Sequence, residues 1–201
     1  MKKLFAFPVC LIALAAALAP ATRADDKKDD PKIVVPYVPT KPEVVQAMLK
    51  LAAIKQGDTV YDLGCGDGRI VIAAVKDFNA KRGLGIDFNP ERLKDCEKSM
   101  DAAKLTDEQR KRLTFKQGDV LKMKPEDFKD VDVVTMYLLP SVNLELRPIL
   151  QKGLKPGSRI VSNSFDMGDW KADKEERVTV KIDGASDREY TIYLWTIKGG
   201  K

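Results

Sequence analysis

Histidine is absent from this chain of 201 residues. No Ser-His-Asp triad, His-ligated metal or imidazole general base can be built from it. Cysteine is scarce: Cys10, Cys65 and Cys96 are too few for a disulfide framework, and no metal-binding constellation is visible. Blocks of like charge are missing as well. The formal charge is +5, from 35 basic and 30 acidic residues. Residues 1–24 hold Lys2, Lys3 and Arg23 and no acid, so the remainder is only +2 (32 against 30). Without a basic stripe, no nucleic-acid partner is expected. Internal repeats are also lacking.

The one long apolar run lies at the N-terminus. Lys2 and Lys3 precede it, it spans 4–19, and Ala19-Pro20-Ala21 and Thr22-Arg23-Ala24 offer small residues for cleavage. Residues 1–24 therefore read as a signal peptide, with the mature protein exported, periplasmic or secreted. Membrane association is expected only if that segment stays uncleaved. Residues 25–35 alternate acids and bases and read as a flexible charged linker. Residues 36–201 form a single domain, long enough to bury a full core and expected to be a monomer.

The domain is organised around Thr59-Val60-Tyr61-Asp62-Leu63-Gly64-Cys65-Gly66-Asp67-Gly68-Arg69. An apolar β-branched run breaks into glycines at every second position, and a helical pattern restarts at Ile70. This predicts a strand, a tight turn and a helix N-terminus, with bare backbone facing a ligand. The dinucleotide fingerprint needs its third glycine where this chain has Arg69, and Asp62 and Asp67 are poor neighbours for a pyrophosphate. Two more acids, Asp87 and Asp119, fall where the second and third strands should end. An acid at the end of the second strand suits a ribose diol. The full acidic set suits a positively charged nucleoside without phosphate, and S-adenosyl-L-methionine fits.

The series Asp62-Leu-Gly64-Cys-Gly66-Asp-Gly68, Asp87 and Gly118-Asp119 resembles that of class I (seven-strand) S-adenosylmethionine-dependent methyltransferases. The resemblance implies an α/β, Rossmann-like doubly wound fold: a mostly parallel seven-stranded sheet, helices on both faces and a C-terminal β-hairpin. Val35-Pro36-Tyr37-Val38-Pro39-Thr40 and Thr135-Met136-Tyr137-Leu138-Leu139-Pro140 resemble the small protein-lysine methyltransferases that include the mitochondrial ATP synthase c-subunit enzyme. By that resemblance Asp62, Gly64 and Gly66 belong to the cofactor site, Asp87 holds the ribose hydroxyls, and Asp119 holds the adenine amino group. Tyr37 and Thr40 close over the methionine end. The implied partner is a protein substrate.

Each of these residues has a plainer reading. Asp119 after Gly118 also suits a turn or helix cap. Tyr37 and Thr40 also suit packing and capping, since Thr40 with Glu43 predicts a capping box for a helix over 42–54 with Pro42 in its first turn. Tyr137 is the candidate catalytic residue, lining the channel for an acceptor lysine, and equally a tyrosine buried at a strand end. Asp166 and backbone carbonyls near 138–140 are alternatives. The acidic-polar-proline motif of nucleic-acid base methylases is missing after the fourth strand. A small-molecule methyltransferase and a non-catalytic cofactor-binding module remain open.

Overall fold

The computed structural model describes residues 37–184 and 186–199. The expected signal peptide and linker, and Val35 and Pro36, lie outside the described residues. The elements in chain order are α1 (Pro42–Leu51), β1 (Thr59–Leu63), α2 (Arg69–Asp77), β2 (Arg82–Asp87), α3 (Pro90–Ala102), α4 (Asp107–Lys111) and β3 (Leu113–Gln117). Two short 3-10 turns at Val120–Lys122 and Pro125–Phe128 lead to β4 (Val133–Met136). Then come α5 (Pro140–Gly153), β5 (Arg159–Asn163), β6 (Lys174–Val180) and β7 (Arg188–Thr196).

One seven-stranded sheet runs in the order β3-β2-β1-β4-β5-β7-β6. The first five strands are parallel; β7 is antiparallel to both β5 and β6. Alternation along the strands divides the core between two faces. Val60, Val133 and Val161 meet Val44 and Met48 of α1 and Val71 of α2. Val134, Ile160 and Trp195 meet Leu146 and Leu150 of α5 and Phe128. The order reverses at β1 and β4, so the carboxyl ends of β1, β2 and β4 open on the crevice where ligands of open α/β sheets bind.

The glycine turn carries β1 into α2 as expected, and Asn89 caps α3 through a bond from the Glu91 amide. The expected capping box of α1 does not form. Lys41 is the N-cap and makes no side-chain cap bond. Thr40 is buried, and its carbonyl accepts a 2.7 Å hydrogen bond from Arg69 Nη1. The chain is thus turned inward two residues before the helix begins. The helix also stops at Leu51, short of 54, because Ala53 adopts a left-handed φ of 48°. Arg159 of β5 holds that end, donating to the carbonyls of Ala52 and Ala53 while pairing with Asp58 at 2.7 Å.

Candidate functional site

Gly64, Gly66 and Gly68 all sit at positive φ, at 75°, 56° and 77°. Their lack of side chains is used twice over. A Cβ on Gly64 would lie 2.5 Å from Leu138 Cδ2, and one on Gly66 would lie 2.5 Å from Tyr37 Cε2. The turn is fastened to β2: the amides of Gly64 and Cys65 both donate to the Ile86 carbonyl, at 2.8 and 3.0 Å. Asp87 fastens it further, since its Oδ2 accepts the Gly66 amide at 2.8 Å and its Oδ1 accepts the Asn89 amide at 2.9 Å. Each carboxylate oxygen keeps lone-pair capacity for another donor, so Asp87 can hold the turn and a diol together.

Asp62 is set by register. In β1 it lies beside Gly85 of β2 and Thr135 of β4. Its Oδ1 accepts a 2.7 Å bond from the Thr135 hydroxyl, while the buried Oδ2 has no hydrogen-bond partner. Burial pushes this carboxyl up to about 7; the Thr135 bond opposes the shift, and the charges of Asp87 and Asp67 add to it. A carboxylate so placed is poised for a cation. Asp119 lies two residues past β3. Its Oδ1 caps the Val120–Lys122 turn through the Leu121 amide at 3.0 Å, and Lys122 Nζ stands 4.0 Å from Oδ2. The cap that the Gly-Asp pair also allowed is therefore present.

Tyr37 and Thr40 are brought to the same turn. The Tyr37 ring lies against Gly66 and beneath the Arg92 guanidinium, 4.3 Å from the ring centroid. Burial raises the Tyr37 hydroxyl above its ordinary value, and the neighbouring Asp67 adds to that. Burial alone would also raise Asp67. The hydrogen bonds and charge of Arg69 outweigh it and hold the Asp67 carboxyl below the usual carboxylate value. Beneath the turn, Cys96 Sγ lies 3.2 Å and Cys65 Sγ 3.9 Å from the Gly66 carbonyl oxygen, both thiols free and buried.

On the β4 side, Tyr137 stacks on Phe165, with ring centroids 6.1 Å apart and planes 25° from parallel. Tyr137 is next to Leu138, whose side chain covers Gly64, so the aromatic pair stands beside the glycine turn. Buried Asn143 of α5 fixes the far wall, donating to the carbonyls of Phe165 and Asp166 at 3.2 Å and to Ser162 Oγ at 3.3 Å. Sequence reasoning missed Thr135, Asn143 and Phe165. Thr135 did give a signal, as a polar residue inside an apolar strand; the other two meet the site only through the tertiary fold.

These features fit S-adenosylmethionine. A buried, unpaired carboxylate oxygen awaits a positive group, and Asp62, Asp87 and Asp119 stand at or just beyond the carboxyl ends of adjacent strands. Comparison with known proteins agrees. Residues 62–174 match the ANTKMT methyltransferase domain. A protein-lysine N-methyltransferase of Saccharolobus islandicus is 40% identical over 163 residues, covering 81% of this chain and 94% of that protein. The adenine nucleotide translocase lysine N-methyltransferase of Mus musculus is 31% identical over 144 residues, 69% of this chain but only 57% of that protein. A solved structure of an RNA methyltransferase from Salinibacter ruber, in complex with S-adenosyl-L-homocysteine, is 43% identical with a TM-score of 0.67, covering 82% of this chain and 96% of that one. The chain belongs to the ANTKMT family of methyltransferases and is an S-adenosylmethionine-dependent enzyme with a seven-stranded Rossmann-like fold.

Proposed function

We propose that the methyl acceptor is the ε-amine of a lysine in a protein. The observation that carries this is the 40% identity to the Saccharolobus islandicus protein-lysine N-methyltransferase over 94% of that protein's length. The cofactor supplies a methyl group already activated on a sulfonium, so the protein's task is alignment and exclusion of water. In this reading Asp62 takes the cofactor's ammonium, Asp87 its ribose hydroxyls and Asp119 its adenine amine. Gly64 and Gly66 give the turn beside it the positive-φ path that brings these acids together, and Tyr37 with Thr40 closes that side.

Lysine attacks only as the neutral amine. The stacked Tyr137–Phe165 pair offers apolar walls for its stem, and removing the amine from water favours loss of its proton. The Tyr137 hydroxyl is the polar tip of that pair and orients the nitrogen by a hydrogen bond. The Salinibacter ruber structure, 43% identical and described as an RNA methyltransferase, supports a second reading with an RNA acceptor.

One experiment separates the two. The purified protein is incubated with methyl-labelled S-adenosylmethionine and, in separate reactions, with protein extract or total RNA. The protein fraction is hydrolysed and its amino acids resolved. Label in methylated lysine, abolished by Asp87→Ala, is the expected result. Label confined to RNA overturns the proposal.

A further inference from the structure

The segment 37–40 reaches α1 without regular structure, and the first helical turn has no side-chain cap. Yet Thr40 is buried and the Tyr37 ring lies on Gly66. What holds the segment down comes from the turn itself. Arg69 forks onto Asp67, with Nε 2.8 Å from Oδ1 and Nη2 2.5 Å from Oδ2. The fork leaves Nη1 to reach across 2.7 Å to the Thr40 carbonyl. Asp67 in turn faces the Tyr37 hydroxyl, and Arg92 of α3 covers the outer side of the ring at 4.3 Å.

Arg69 also stands where the dinucleotide fingerprint has its third glycine. A glycine there would leave the Thr40 carbonyl without this donor. A planar guanidinium presents its donors in a fixed fork, so it can grip both carboxylate oxygens in parallel and still reach a third acceptor; an ammonium is a point donor on a flexible stem.

We propose that Asp67 and Arg69 form a latch that holds the 37–40 strap closed over the cofactor, and that the latch sets how long the cofactor and its demethylated product stay bound. Arg69 acts through the strap, as a positioning residue. The inference rests on the cofactor lying on the glycine turn, as proposed above. Opening the strap breaks the Arg69–Thr40 bond and slides Tyr37 from under Arg92, so both contacts oppose release.

The test is the dissociation rate of S-adenosylhomocysteine from the full chain, measured by stopped-flow displacement. Arg69→Met keeps the stem and removes every N–H. The off-rate is expected to rise about tenfold or more, the scale of one lost charge-assisted hydrogen bond. KM for S-adenosylmethionine rises in parallel while KM for the acceptor stays level, a split that general loosening of the fold does not produce. Arg69→Lys falls between. If Arg69→Met does not fold, Tyr37→Leu removes the ring under Arg92 and is expected to speed release in the same way. Asp87→Ala is the control for placement. If it leaves S-adenosylhomocysteine affinity intact, the cofactor does not lie on this turn and the proposal falls with that premise. If Asp87→Ala abolishes binding while Arg69→Met and Tyr37→Leu leave the off-rate within twofold, the latch alone is refuted.

Discussion

Replacing Asp62 by asparagine is expected to stabilise the free protein and weaken cofactor binding. The Asp62 carboxyl is buried, its Oδ2 lacks a partner, and it is pushed from 3.8 up to about 7. A carboxyl with a raised folded value holds a proton that the unfolded chain has released. Its contribution to stability is therefore full below the unfolded value and declines as pH rises to about 7, then levels off. Between pH 5 and pH 8 two of these pH units count, which costs about 3 kcal/mol at 1.36 kcal/mol each. Asparagine keeps an acceptor for the Thr135 hydroxyl and cannot ionise, so the variant escapes that loss. At roughly 2–4 °C per kcal/mol for a domain of this size, the melting temperature of Asp62→Asn relative to wild type should climb by about 6–12 °C from pH 5 to pH 8. At pH 8, where the wild-type carboxyl is ionised, S-adenosylmethionine affinity should be roughly 10- to 100-fold lower in the variant, the scale of a lost charge-assisted contact. Differential scanning fluorimetry across pH and calorimetric titration measure both. Parallel melting curves for the two proteins, or unchanged affinity, refute the reasoning.

Gly66→Ala sets a Cβ against the Tyr37 ring at a φ of 56°, so strain of about 1–2 kcal/mol and a displaced strap should weaken S-adenosylhomocysteine binding, read by calorimetry. Arg159→Met strips α1 of its C-terminal donor and leaves buried Asp58 without its counter-ion; urea unfolding should show a loss of about 3 kcal/mol. Tyr137→Phe should lower kcat for the acceptor amine while leaving S-adenosylhomocysteine affinity unchanged, because the proposed role of its hydroxyl is on the acceptor side alone. Fusing residues 1–24 to a phosphatase active only outside the cytoplasm should yield active enzyme, and an inactive fusion rejects the export reading.

The parts of the fold that showed in the sequence are those dictated by local chemistry. Alternate glycines between a β-branched strand and an apolar helix leave few options for 59–77. The ends of β2 and β3 were legible from their acids: β2 closes on Asp87, and β3 closes at Gln117, two residues before Asp119. The capping box at Thr40 failed because capping asks only about spacing, whereas the Thr40 side chain is claimed by burial and its carbonyl by Arg69, 29 positions on. A true capping box, Thr106 with Gln109, starts the short α4 and passed unnoticed in a charged stretch that carries no apolar stripe. Β4 proved shorter than the apolar run around it, since Asp132 spends its carboxylate on the Thr59 amide at 2.8 Å. On the acceptor side, Asn143 and Phe165 come from an amphipathic helix and a loop whose meeting depends on the β4–β5 pairing. No spacing rule expresses that meeting.

The two thiols beneath Gly66 give the molecule a built-in reporter. Cys96 is fully buried and Cys65 nearly so, and the proximity of Cys96, together with burial, pushes the Cys65 thiol up, away from the reactive thiolate. An alkylating reagent can reach buried Cys65, which lies in the glycine turn and packs over Gly85 of β2, only when that turn opens. The alkylation rate therefore counts openings of that turn, at a place where no foreign label has to be introduced. Bound cofactor that clamps the turn should slow the count, and the degree of slowing measures the free energy with which ligand and turn hold one another.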